Sequence, residues 1–233
     1  MAETSAPAEA THVNGLRAAR RSPASHLTEA FAAGSVPGTA ALKEIPYQTM
    51  VGIRVERGSD AGARIASVTG GLPASCGEVS GNGTAVSGAA LNGTVINGAA
   101  LNGAAVLWLG PAEFMVVAPE ASHDSLGGSL VSDLTAALGS DEGQVVDLSA
   151  NRTTFELTGS RSRAVLEKSC SLDLHPRVFK AGTALATEIG HIPVVLWKTA
   201  DETFRLFPRA SFADFLGRWL LDSMREYASP EVP

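Results

Sequence analysis

Val106-Leu107-Trp108-Leu109-Gly110-Pro111-Ala112-Glu113-Phe114-Met115-Val116-Val117-Ala118-Pro119 is the stretch on which the fold class turns. Two short runs of aliphatic and aromatic residues flank a Gly-Pro turn signal, and a second proline ends the later run. The pattern predicts two buried strands, 106–109 and 114–117, joined by a turn. Downstream, Leu130, Val131, Leu134 and Leu138 fall at helical spacing within 126–138, and Gly139 stops them. Strands are predicted at Gln144–Leu148 and Thr153–Leu157, joined near Ala150-Asn151. Ser160 is placed to cap a helix through Ser169, and strands follow at Ala184–Ile189, Val194–Trp197 and Phe204–Phe207.

The closing segment reads as a helix opened by Ser211 and Asp214, a variant of the capping box. Phe212, Phe215, Leu216, Trp219 and Leu220 then form one wide apolar stripe, expected to face the core in preference to a partner's groove. Upstream, a short helix is expected from Ser25, closed by Gly34 and Pro37. A strand within Ile45–Glu56 and a helix over Asp60–Val68 follow it. Strands and helices mix without the regular βαβα rhythm of a parallel sheet. The predicted class is α+β: mostly antiparallel sheets with helices packed on one face.

Between Gly81 and Ala105 the chain repeats a five-residue unit: small, small, apolar, Asn or Ser, Gly. Period five suits neither helix nor strand, and four complete units are too few to stack into a repeat fold. The segment is therefore expected to be a pentapeptide-like loop insertion with Asn-Gly turns. Residues 1–24, rich in Ala, Ser and Thr, are expected to form a disordered tail. A single domain is placed at 25–227 and a C-terminal tail at 228–233.

The 233 residues are 45% hydrophobic and 18% charged, enough to bury a sizeable core. The net charge of −6 is spread without a basic stripe, which argues against nucleic acid as the main partner. Arg17, Arg20 and Arg21 read as a flexible solvated arm in preference to an anionic contact. No apolar run approaches the ~20 residues of a membrane span, and no apolar region follows the paired arginines, so the chain is expected in the cytoplasm. Cys76 and Cys170 make no ligand pattern and are read as small buried hydrophobes.

No GxGxxG cradle, phosphate loop, HExxH or GxSxG elbow is present. Of the five histidines, His175 and His191 lie in well-patterned segments. His175 would need Asp173 or Asp147 for acid–base work; the simpler reading has it bonding backbone carbonyls beside Pro176. His191 gets the same treatment at a tight bend before Pro193. Asp147 and Arg152 form the most polar cluster between two strands, either a small-ligand site or a hydrogen-bonded crossover. The crossover is preferred, and no catalytic, cofactor-binding or metal-binding residue is assigned.

Four strings in order resemble the gamma subunits of heterotetrameric sarcosine oxidase: Leu107-Trp108-Leu109-Gly110-Pro111-Ala112-Glu113-Phe114, Val145-Val146-Asp147-Leu148-Ser149 with Asn151-Arg152-Thr153, Cys170-Ser171-Leu172-Asp173-Leu174-His175-Pro176-Arg177 with Phe179, and Arg209-Ala210-Ser211-Phe212-Ala213-Asp214-Phe215-Leu216. The resemblance implies the aminomethyltransferase (folate-binding) fold and a non-catalytic subunit. The implied complex demethylates sarcosine to glycine with O2. It releases H2O2 and yields 5,10-methylenetetrahydrofolate from tetrahydrofolate, or formaldehyde without it. The resemblance also implies alpha, beta and delta partner subunits that carry FAD, FMN, NAD and zinc, with no cofactor on this chain. The alternative is a stand-alone folate-dependent transferase or tRNA-modification protein of the same fold. Lys168-Ser169-Cys170 starts like that group's hallmark, but Ser171-Leu172-Asp173 diverges from it.

Overall fold

The structure, a computed structural model, describes residues 15, 18–81 and 103–228. Its centre is the predicted hairpin: β4 (Ala105–Gly110) pairs antiparallel with β5 (Glu113–Ala118), Leu107 opposite Met115 and Trp108 opposite Phe114. Strand alternation sends Val106, Phe114 and Val116 to one face, and Leu107, Met115 and Val117 to the other. Both faces are covered, which is why the two runs are almost continuously apolar.

This hairpin belongs to a five-stranded sheet ordered β3-β4-β5-β2-β6, with β2 at Thr49–Arg54, β3 at Val79–Ser80 and β6 at Gln144–Asp147. Two helices cover its outer face. The first, here α2 (Asp60–Thr69), starts at Ser59, whose hydroxyl accepts from Gly62 N at 3.0 Å, and ends at left-handed Gly70. The second, α3 (Leu130–Leu138), buries Leu130 and Leu134 against Ile65 and Val116.

A second sheet runs β1-β7-β10-β9-β8: β1 Ala41–Ile45, β7 Thr154–Thr158, β8 Ala184–Ile189, β9 Ile192–Ala200 and β10 Thr203–Pro208. Its outer face carries α1 (Thr28–Gly34), α4 (Ser162–Glu167) and α5 (Ala213–Ala228) around Phe31, Phe155, Phe204, Leu206 and Leu216. The inner faces of the sheets meet through Met50, Leu107, Met115, Val117, Val195, Trp197 and Phe207. The layers are helix, sheet, sheet, helix. Every described strand pair is antiparallel, and each sheet holds its helices on one face, as the α+β reading expected.

The expected strands at 144–148 and 153–157 are both present and lie in different sheets: β6 pairs with β2, whereas β7 sits between β1 and β10. Several local expectations need correction. Ser160 does not cap α4; its hydroxyl donates to Gly38 O instead. The expected box at Ser211 is replaced by a 3-10 turn over Ala210–Phe212, and the Asp214 carboxylate takes His26 and Arg218 as partners. The closing stripe divides. Leu216 and Leu220 are fully buried, but Phe212, Phe215 and Trp219 remain 38%, 50% and 38% exposed. Cys76 is exposed, not buried, while Cys170 is half-buried and packs against the core.

Ordered packing reaches back before residue 25. Ala24 is fully buried, Ser22 donates to Glu44 Oε2 at 2.5 Å, and Tyr47 donates to Arg20 O at 2.9 Å. Most of the proposed N-terminal tail, residues 82–102 of the repeat insertion and 229–233 at the C-terminus lie outside the described residues.

His191 is a turn residue. Gly190 and His191 connect Ile189 to Ile192 with φ of 59° and 65°, the two-residue turn that matches strand twist. A Cβ at Gly190 would stand 3.2 Å from the Trp219 ring. Gly190→Ala is expected to lower stability by roughly 1–2 kcal/mol, from left-handed strain alone. A urea melt checks this, and an unchanged midpoint would contradict the turn geometry.

Candidate functional site

Where the chain crosses from β6 to β7, a cavity of about 400 Å3 opens against the turn after β1 and the residues before α1. Its wall includes Arg20, Arg21, Tyr47, His123, Asp147 and Arg152. Asp147 ends β6. Its Oδ1 accepts from Ser149 N at 2.9 Å, and Oδ2 lies 2.9 Å from His123 Nε2. His123 Nδ1 accepts from Ser125 N at 3.1 Å, so the ring proton sits on Nε2 and is donated to Asp147. Burial would raise the Asp147 pKa, but the hydrogen bonds from Ser149 and His123 outweigh it and hold the carboxyl below its ordinary value. His123→Ala should therefore move the Asp147 titration upward. Carboxyl-carbon NMR reads this directly, and an unmoved midpoint would contradict the pairing.

Arg152 follows the crossover turn, in which Asn151 N donates to Leu148 O and Ala210 N to Asn151 O. Its Nη1 donates to Phe207 O at 2.6 Å, tying the turn to the end of β10. No carboxylate pairs with Arg152 among the described residues, and its Nε is shielded from solvent without a partner. Burial first, then the neighbouring Arg209, push the guanidinium pKa below its ordinary value. Arg20 lies over the Tyr47 ring at 4.3 Å and forms an ion pair with Glu120. Tyr47 itself is held at a φ of 60°.

The structure thus brings Asp147 and Arg152 to one cavity without pairing them with each other. The hydrogen-bonded crossover is present, and the cavity lies beside it. His175 is elsewhere: its backbone N–H donates to Asp173 Oδ1, and its Nδ1 accepts from Arg177 N. The histidine that meets a carboxylate in this cavity is His123, which sequence reasoning passed over together with Tyr47. His123 and Asp147 are 24 residues apart, and no local pattern marks the contact. Among the described residues, no group of three or more His, Cys, Asp or Glu is placed to hold a metal ion.

The profile of the sarcosine oxidase gamma subunit family matches residues 85–226. Sarcosine oxidase subunit gamma from Arthrobacter sp is 45% identical over 214 residues, covering 91% of this chain and 94% of that one. The chain belongs to the sarcosine oxidase gamma-subunit family. The counterpart from Corynebacterium sp. (strain U-96) is 43% identical over 216 residues, with the same coverage of both chains. A chain of the heterotetrameric sarcosine oxidase from Corynebacterium sp. U-96, solved in complex with pyrrole 2-carboxylate, superposes with a TM-score of 0.78 at 41% identity. That match covers 92% of this chain and 99% of the other. Aminomethyltransferase T of the glycine cleavage system from Bartonella henselae matches with a TM-score of 0.58 at 15% identity. It covers 85% of this chain and 49% of that one, and it shows the shared fold alone.

This gamma-subunit family member also presents an apolar surface. On α5, the rings of Phe215 and Trp219 stack at 6.1 Å, with Phe212 one turn earlier. Trp219 Nε1 donates to Ser169 Oγ at 2.9 Å, which fixes the indole while leaving part of its face open. An aromatic cluster of this kind is what a protein interface uses as an anchor.

Proposed function

We propose that this chain is a non-catalytic structural subunit of a heterotetrameric sarcosine oxidase, assembled with alpha, beta and delta subunits. The reaction assigned to the complex is oxidative demethylation of sarcosine to glycine with O2. It forms H2O2 and 5,10-methylenetetrahydrofolate when tetrahydrofolate is present, and formaldehyde otherwise. The observation that carries this reading is the 45% identity over nine-tenths of the chain to a protein named as a sarcosine oxidase gamma subunit. The exposed Phe215 and Trp219 on α5, with Phe212 in the 3-10 turn before it, offer a neighbour an anchor.

In this proposal FAD, FMN, NAD and zinc sit on the other subunits. The residues present do not fit a dinucleotide. Such a cradle opens a strand–helix–strand crossover in a parallel sheet, whereas the described strands pair antiparallel throughout. In this reading no step of the reaction is routed through this chain. The shared fold with aminomethyltransferase T supports no separate folate-dependent or tRNA-modifying activity, since 15% identity carries architecture only. The complex is taken to be cytoplasmic; of the described helices, none is long and apolar enough to cross a membrane.

Co-expression tests the proposal. Produced with the three other subunits, the chain should co-purify at equal stoichiometry with sarcosine-dependent peroxide formation. Omitting it should lower the yield of the assembled flavoenzyme. Full assembly and activity without it would overturn the structural role.

A further inference from the structure

The crossover cavity holds more positive charge than its own carboxylates absorb. Arg20, Arg21 and Arg152 line it, and among the described residues Asp147 is the one carboxylate on the wall. Asp147 is already engaged by His123 and Ser149, and Arg20 by Glu120 behind it. Arg152 uses one N–H on Phe207 O, while its shielded Nε and that of Arg20 have no partner. Arg152 is a largely desolvated cation with no carboxylate partner among the described residues, so the cavity is under-satisfied as it stands. A volume of about 400 Å3 suits a small organic group. Tyr47, Pro23 and Ala150 add apolar surface beside the charges.

We propose that this cavity binds a carboxylate, received by the planar guanidinium of Arg152 and flanked by Arg20 and Arg21. Guanidinium matches a carboxylate edge to edge with two parallel N–H donors. A monoanion fits better than a phosphate dianion, because Asp147 and Glu120 already offset part of the arginine charge. The lowered pKa of Arg152 agrees, since burial and Arg209 act on a cation that no described carboxylate pairs with. The carboxylate is either a free small organic acid or an acidic side chain of a neighbouring subunit; the recognition chemistry is the same. The inference goes beyond the subunit role and uses only residues of this chain.

Benzoate is the probe. Calorimetric titration compares complexes containing the wild-type chain, Arg152→Met or Ala150→Glu. Ala150 is exposed on the cavity wall, so Ala150→Glu removes no existing contact while supplying a competing carboxylate. If the ligand is a free acid, the wild type binds one more benzoate per copy of this chain than either variant. If the source is a neighbouring subunit, benzoate counts are equal, but both variants weaken assembly at least tenfold in a salt-matched pull-down. In that case Ala150→Gln, equal in size and uncharged, leaves assembly intact. Should Arg152→Met fail to fold, Ala150→Glu decides alone. Equal benzoate counts with unchanged assembly overturn the proposal, as does an equal assembly loss for Ala150→Gln.

Discussion

Phe215→Glu leaves the isolated chain as stable as the wild type and lowers the yield of assembled complex more than tenfold. Phe215 is 50% exposed and packs chiefly on Trp219, so its replacement falls among surface changes worth within about 0.5 kcal/mol of stability. A central aromatic anchor at an interface commonly contributes about 2 kcal/mol or more, which corresponds to roughly thirtyfold in affinity. Trp219→Ala is a less clean test, because Trp219 also holds Ser169 and covers Gly190. The measurement pairs a urea melt of the chain with quantitative pull-down by the other subunits. Peroxide formation should fall in step with the pull-down. Normal assembly with Phe215→Glu would remove this patch from the interface.

The second large effect lies between the sheets. Glu156 on β7 and Arg205 on β10 are cross-strand neighbours, side-chain exposures 7% and 6%, on the same face as Phe207. Arg205 Nε and Nη2 both reach Glu156 Oε2, at 3.1 and 3.0 Å, and Lys43 reaches Oε1 at 2.9 Å. Glu156→Ala strands a buried guanidinium, and Arg205 already has Nη1 without a partner. Removing one member of a buried pair costs about 3–5 kcal/mol, a large share of a domain's total. The pair need not be worth that much in total, since desolvation opposes it. Burial pulls the Arg205 pKa down despite Glu156, yet an arginine keeps its proton.

For Glu156, burial would raise the pKa, but Lys43 and Arg205 together overcome it and the net shift is downward from 4.5. The unfolded chain therefore takes up this proton first as pH falls. The pair's contribution is fully present above the unfolded value and is lost on descending through the depressed native one. Unfolding free energy against pH should accordingly be flatter in acid for Glu156→Ala than for the wild type. An identical acid slope for both proteins would contradict the assignment.

The parts of this fold that sequence reasoning reached are those governed by local physics. The 106–117 hairpin, α2 with its glycine exit and the three strands of 184–207 each carry a turn signal beside an apolar run. Pairing partners are a different matter. Nothing in Gln144–Leu157 announces that β6 and β7 part company, because both strands read alike and the choice between sheets is made by distant β2 and β10. The α5 stripe was misjudged for a related reason. Helical periodicity says which residues share a face, but how much of that face is covered depends on distant elements, here α1 and α4. Asp147 and Arg152 were visible as a polar cluster, whereas the cavity between them needed Arg20, Tyr47 and His123 from three other segments.

The central claim is that this chain contributes surface to an assembly whose redox groups belong to other subunits. Purifying it alone, recording its visible absorbance for bound flavin, and following O2 uptake with sarcosine tests that claim most directly. The expected result is neither flavin nor turnover, with both appearing when the remaining subunits are supplied. Stoichiometric flavin on the lone chain, or sarcosine-dependent O2 uptake by it, would contradict the account.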